Sequence, residues 1–139
     1  MQTEVKIIIP EGMEIDKENS TFECIKFKPK KLTYDDIVKE LFCYEESFCV
    51  NATSEDQCKK LLALNKLINV ATYLNEGWKV DFQGITNAYY PVVIKNNTIH
   101  CCLAKRINPG IPCFKTPELV KKATEILGEE TIRIALSQV

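Results

Sequence analysis

Seven cysteines, a single histidine and a run of lysines are the residues of this 139-residue chain with obvious chemical potential. His100-Cys101-Cys102 together with Cys113 offers soft ligands for a metal such as zinc within a short span. Cys24, Cys43, Cys49 and Cys58 lie elsewhere. No CxxC spacing occurs, and adjacent cysteines on a strand point to opposite faces, so the four do not form a natural chelate. Cysteines packed as small hydrophobes are the stronger reading, with no metal and no cofactor expected. The odd count, in a chain long enough to build a core without staples, predicts reduced thiols.

Nucleophilic catalysis requires a thiol or hydroxyl, a base and an oxyanion donor that converge. His100 sits beside Cys101, and neighbours on a strand do not face each other. The carboxylate pairs Asp35/Asp36, Glu45/Glu46 and Glu129/Glu130 fall in helix starts or loops, where they complement unpaired N–H groups. Five glycines include no phosphate-cradling loop. No catalytic residue is assigned, and a non-enzymatic protein is expected.

Binding has two threads. Lys26, Lys28, Lys30 and Lys31 form a basic run, Lys105-Arg106 follows in a proline-containing loop, and Tyr89 and Tyr90 are aromatics of the kind on which single-stranded bases stack. Against nucleic acid stands a formal net charge of −1, which makes a solvated lysine face the simpler account. The alternative is a protein partner met by whichever of Tyr89 and Tyr90 points outward, with the Asn108–Pro112 loop beside it. A macromolecular partner, protein before nucleic acid, is therefore expected. No apolar run approaches the roughly 20 residues of a membrane-spanning helix. Met1–Pro10 carries Glu4 and Lys6 and does not read as a signal peptide. The expected location is the bacterial cytoplasm.

The element that must position these residues is a helix from Ser54 to Glu76. Ser54 caps it, Gln57 stands where a capping box wants it, and Gly77 follows its last periodic residue. Leu61, Ala63, Leu64, Leu67, Ile68, Val70, Ala71 and Leu74 share about half its circumference, an arc wide enough to lie against a sheet. Lys60 and Leu62 break that pattern. Strands are expected at Glu4–Ile9, Thr21–Lys28, Trp78–Phe82, Ala88–Lys95, Thr98–Leu103 and near Cys113–Lys115, with Phe48–Val50 as a further short one. Asn96-Asn97 makes the clearest hairpin turn. Thr33 opens a helix through Phe42, Thr116-Pro117-Glu118 opens another that ends at Gly128, and a last short helix follows. The expected architecture is one α+β domain over residues 1–139. In it an antiparallel or mixed sheet packs on the long central helix (about 54–76), with C-terminal helices.

Three phrases carry a resemblance: PEGMEIDKENSTFECIKFK (10–28), LLALNKLINVATYLNEGW (61–78) and FKTPELVKKATEILGEETIRIALS (114–137). Over about half the chain it resembles a set of small proteins encoded by gut-bacterial phages, prophages and related mobile elements. Members often have proline and tryptophan where this sequence has Val80 and Phe82, and a shorter, less cysteine-rich segment around Lys95–Cys113. The resemblance implies a phage or mobile-element origin and brings no activity with it.

Overall fold

Pro10-Glu11-Gly12 turns the chain as its residue types suggest: Gly12 adopts φ +74°, and the Met13 N–H donates to the Pro10 carbonyl at 3.1 Å. The computed structural model describes residues 4–41, 51–84, 87–105 and 108–138, and within them two compact units, Met1–Leu32 and Thr33–Val139. In the first unit, β1 (Met13–Ile15) pairs antiparallel with β2 (Phe27–Pro29) in the register Met13↔Pro29, Glu14↔Lys28, Ile15↔Phe27. Bonds from the Lys30 N–H to the Gly12 carbonyl (2.9 Å) and from the Asp16 N–H to the Lys26 carbonyl (2.8 Å) extend the ladder at each end. The Asp16 carboxylate accepts from both the backbone and the side-chain amide of Asn19, which holds its pKa below the ordinary value.

Two expectations fail in this unit. Glu4–Ile9 is not a strand: its β-branched residues favour extended backbone, but among the described residues no neighbouring segment supplies a ladder. Of Thr21–Lys28 only the end pairs, because Thr21 and Cys24 close a turn by exchanging bonds of 2.8 and 3.2 Å. The strand pairing in this unit is thus β1 with β2.

The second unit opens with α1 (Tyr34–Leu41). The Thr33 hydroxyl accepts from the Asp36 N–H at 3.3 Å, and the Thr33 N–H donates to the Asp36 carboxylate at 3.0 Å, a reciprocal cap. Phe42 and Phe48–Val50 lie outside the described residues. The longest helix, α2 (Glu55–Leu74), is capped by Ser54, whose Oγ accepts from the Gln57 N–H at 3.1 Å. The return half of the box is displaced by one residue: the Gln57 side chain accepts from the N–H and hydroxyl of Thr53, not from Ser54.

Along α2 the buried residues are Ala63, Leu67, Val70, Ala71 and Leu74, a helical stripe. Each large member contributes about 1.5–3 kcal/mol on burial. Ile68, expected inside, is 44% exposed, because at 100° per residue it stands about 115° from the centre of that stripe. Leu62 is likewise exposed. Lys60 lies over the stripe, and its ammonium reaches the Ser137 carbonyl at the end of the last helix, favourable ground for a cation.

The expected sheet is not what covers this stripe. α2 packs chiefly on α1 and on two helices that follow in sequence, α3 (Pro117–Leu127) and α4 (Glu129–Leu136). Thr116 caps α3, with Pro117 at its first position, and Gly128 at φ +84° ends it and admits α4. Ile37, Val120, Ala123, Ile132 and Ala135 are the buried residues these helices bring. The fold class is α+β, with α2 central and, among the described residues, two separate two-stranded antiparallel sheets.

The second sheet is a hairpin of β3 (Ala88–Val93) and β4 (Ile99–Ala104), registered without a bulge from Ala88↔Ala104 to Val93↔Ile99. Asn96 and Asn97, at φ +70° and +62°, make the turn, conformations that asparagine tolerates. β3 packs on α3 and α4. Trp78–Phe82 is not a strand. Its alternate residues Trp78, Val80 and Phe82 pack on Ala88, Ala104 and Cys113, so the period of two serves packing without backbone pairing. The strand expected near Cys113–Lys115 reduces to one bridge, in which Phe114 and Tyr89 exchange bonds of 2.7 and 3.0 Å.

Candidate protein-binding surfaces

The Tyr89–Phe114 bridge fixes the hydrogen-bonding parity of the hairpin. Because Tyr89 spends its N–H and C=O on Phe114, the backbone groups of Tyr89, Pro91 and Val93 point away from β4. Those of Ala88, Tyr90 and Val92 point to β4 and bond Ala104, Cys102 and His100. Pro91, which has no N–H, therefore costs the β3–β4 ladder nothing. By the same alternation, Ile99, Cys101 and Leu103 direct their N–H and C=O groups to the outer side of β4, where the described residues supply no strand.

Tyr89 and Tyr90 are both half-buried. Tyr90 faces the cluster of Ala88, Ala104 and Cys113, and Tyr89 lies on the opposite face of the sheet, paired with Leu103. The expectation of one buried and one outward ring becomes two partly covered rings. Trp78 is also only half-buried, because it packs over the outside of that cluster.

The lysines do not make a uniform basic face. Lys26 and Lys31 are exposed, but Lys28 lies beside Glu14 across the β1–β2 ladder, with Nζ 3.7 Å from the carboxylate. Lys30 hydrogen-bonds through its backbone to Gly12.

The proposed metal ligands do not converge. His100 and Cys102 share one face of β4, Cys101 takes the other, and Cys113 is buried on the far side of β3. Among the described residues no three His, Cys, Asp or Glu side chains are grouped to hold a metal; Cys43 and Cys49 lie outside them. Burial raises the thiol pKa of Cys113 above its ordinary value. Burial also raises that of Cys101, assisted by the neighbouring Cys102 and Glu118.

Two features had no signal in sequence periodicity. One is a cleft of about 390 Å³ at the C-terminal end of α2, lined by Ile68, Thr72, Trp78, Lys79, Pro112 and Cys113 among others. The other is the exposure of the first unit. None of its described residues is buried, Val5 and Ile8 are 81% and 90% exposed, and the Phe22 ring stands wholly in water. No described helix is long and apolar enough to cross a membrane. No family model, no curated protein and no solved structure matches the chain.

Proposed function

We propose that the chain is a non-enzymatic binding protein of phage or mobile-element type, which engages a protein partner in the bacterial cytoplasm through its first unit. The observation that carries this reading is that residues 4–32 hold apolar side chains yet bury none of them. A two-stranded hairpin is at best marginal in water by itself, and apolar side chains in contact with water favour association. In an extended backbone Val5, Ile7 and Ile9 would share one face, and among the described residues the backbone of 4–9 bonds no neighbour. Such a segment is suited to join the edge of a partner's sheet, with the backbone supplying affinity and the alternate side chains specificity. The resemblance of the three sequence phrases to phage and prophage proteins supports the origin, by association alone.

The test is affinity capture from a gut-bacterial lysate, with the parent chain and a Val5→Asp/Ile7→Asp variant as parallel baits. One protein retained in stoichiometric amount by the parent and lost with the variant, at unchanged melting temperature, is the expected result. Equal retention by both baits overturns the reading.

A further inference from the structure

We infer that the first unit is a folding switch: residues 4–32 open and close in the free chain while the second unit stays folded, and the closed form is completed on a partner. The opening stands by itself, and only its use in binding rests on the reading above.

The balance of forces within the unit points this way. Folding offsets the conformational entropy of the chain chiefly by removing apolar surface from water. None of the unit's described residues is buried, its two strands hold three residues each, and Met13, Ile15 and Phe27 are half-buried at most. Its shape comes instead from hydrogen bonds open to solvent. The Ser20 Oγ accepts from the Lys26 N–H at 2.9 Å and donates to the Lys26 carbonyl at 3.3 Å. The Asp16 carboxylate holds Asn19, and Thr21 and Cys24 close the turn that carries Phe22. Each of these bonds is exchanged for one with water when the unit opens, so its net contribution is small. The Glu14–Lys28 pair is solvated as well, which leaves it little to add.

The second unit has what the first lacks. Ile37 of α1, Leu67 and Val70 of α2, Ile132 of α4 and Phe114 at the bridge to β3 are all sealed from water. Backbone held by such a core is released only when the whole unit unfolds, whereas a solvated hairpin opens by itself. A partner that presents an apolar sheet edge supplies the cover the first unit is missing, so that ordering and binding become one step. Ordering at the moment of binding lowers the affinity for a given contact area, which suits a reversible contact.

Hydrogen exchange of the free chain at neutral pH, read by mass spectrometry, follows both units in one sample. Amides of residues 13–30 should be at least about 100-fold less protected than those of Leu67–Leu74 in α2, which follow global unfolding. A smaller difference overturns the inference. A second measurement uses the cross-strand pair Ile15 and Phe27. Ile15→Ser/Phe27→Ser should leave the thermal melting of the helices, followed by circular dichroism, unchanged, whereas Leu67→Ala should lower it. A melting temperature that falls with the hairpin pair as it does with Leu67→Ala shows one cooperative unit and overturns the inference. In complex with the protein that the parent bait retains, the amides of 13–30 should slow by at least about tenfold, and unchanged exchange there overturns closure on the partner. A bait that retains nothing overturns the reading above and leaves the opening, measured on the free chain, to stand or fall by the first two results.

Discussion

Asn75 holds Cys113 by its backbone. The Asn75 Nδ2 donates to the Cys113 carbonyl at 2.9 Å while its Oδ1 accepts from the Lys115 N–H at 3.1 Å. One side chain at the C-cap of α2 thus stands in for a neighbouring strand beside residues 113–115, whose own pairing is limited to Phe114 with Tyr89. Replacing it by alanine removes both bonds and should destabilise the protein by about 1–3 kcal/mol. Asn75→Asp keeps the acceptor and loses the donor, so it should fall between parent and alanine at neutral pH. Urea denaturation of the three proteins measures this, and equal stability of parent and alanine variant would refute the account.

Trp78 covers the outside of the Ala88–Ala104–Cys113 cluster without being sealed in it. Its truncation to alanine should cost about 2–3 kcal/mol, below the roughly 3–5 of a fully buried aromatic. Trp78→Phe should recover most of that loss. Thermal denaturation followed by circular dichroism reads both values, because the variants lack the fluorophore.

The Cys113 thiol is raised above its ordinary value of 9.0 by burial. Folding therefore retains a proton that the unfolded chain gives up, and stability falls as pH climbs. The contribution is complete below pH 9.0 and is lost as pH rises through the folded-state pKa. The parent should lose more stability between neutral and alkaline pH than Cys113→Ala does. Parallel losses in the two proteins would show that this thiol has no part in the pH response.

Lys26 and Lys31 are exposed, and Lys28 has Glu14 beside it. Exposed pairs of this kind are worth about 0–1 kcal/mol, so they blunt the positive field without ordering it. Single-stranded DNA should bind weakly, to the same degree as a charge-matched control, and changing Lys26 and Lys31 to alanine should leave melting unaltered. Salt titration of fluorescence anisotropy decides the matter. Tight binding at physiological salt that these substitutions abolish would establish a nucleic-acid surface instead.

What could be read from sequence divides along the range of the interactions. Ser54 at the start of α2, Thr116-Pro117 at the start of α3 and Asn96-Asn97 in the hairpin were legible because each acts on backbone within four residues of itself. Glu4–Ile9 and Trp78–Phe82 carry the residue types of strands, but a strand exists only where another strand meets it, and propensity says nothing of that meeting. Ile68 was misplaced for a related reason: periodicity marks an apolar arc, while the neighbours that happen to pack decide how much of it is used. The outer edge of β4 was beyond sequence altogether, since its parity depends on Phe114, which lies on another segment across the sheet.

Pro91 has a bearing on what the free flank of β3 can recruit. On the far side of β3, Tyr89 is already occupied by Phe114, Pro91 has no hydrogen to give, and of the three Val93 alone keeps a donor there. A further strand finds no continuous ladder on that side, so the proline stops the sheet from growing through β3.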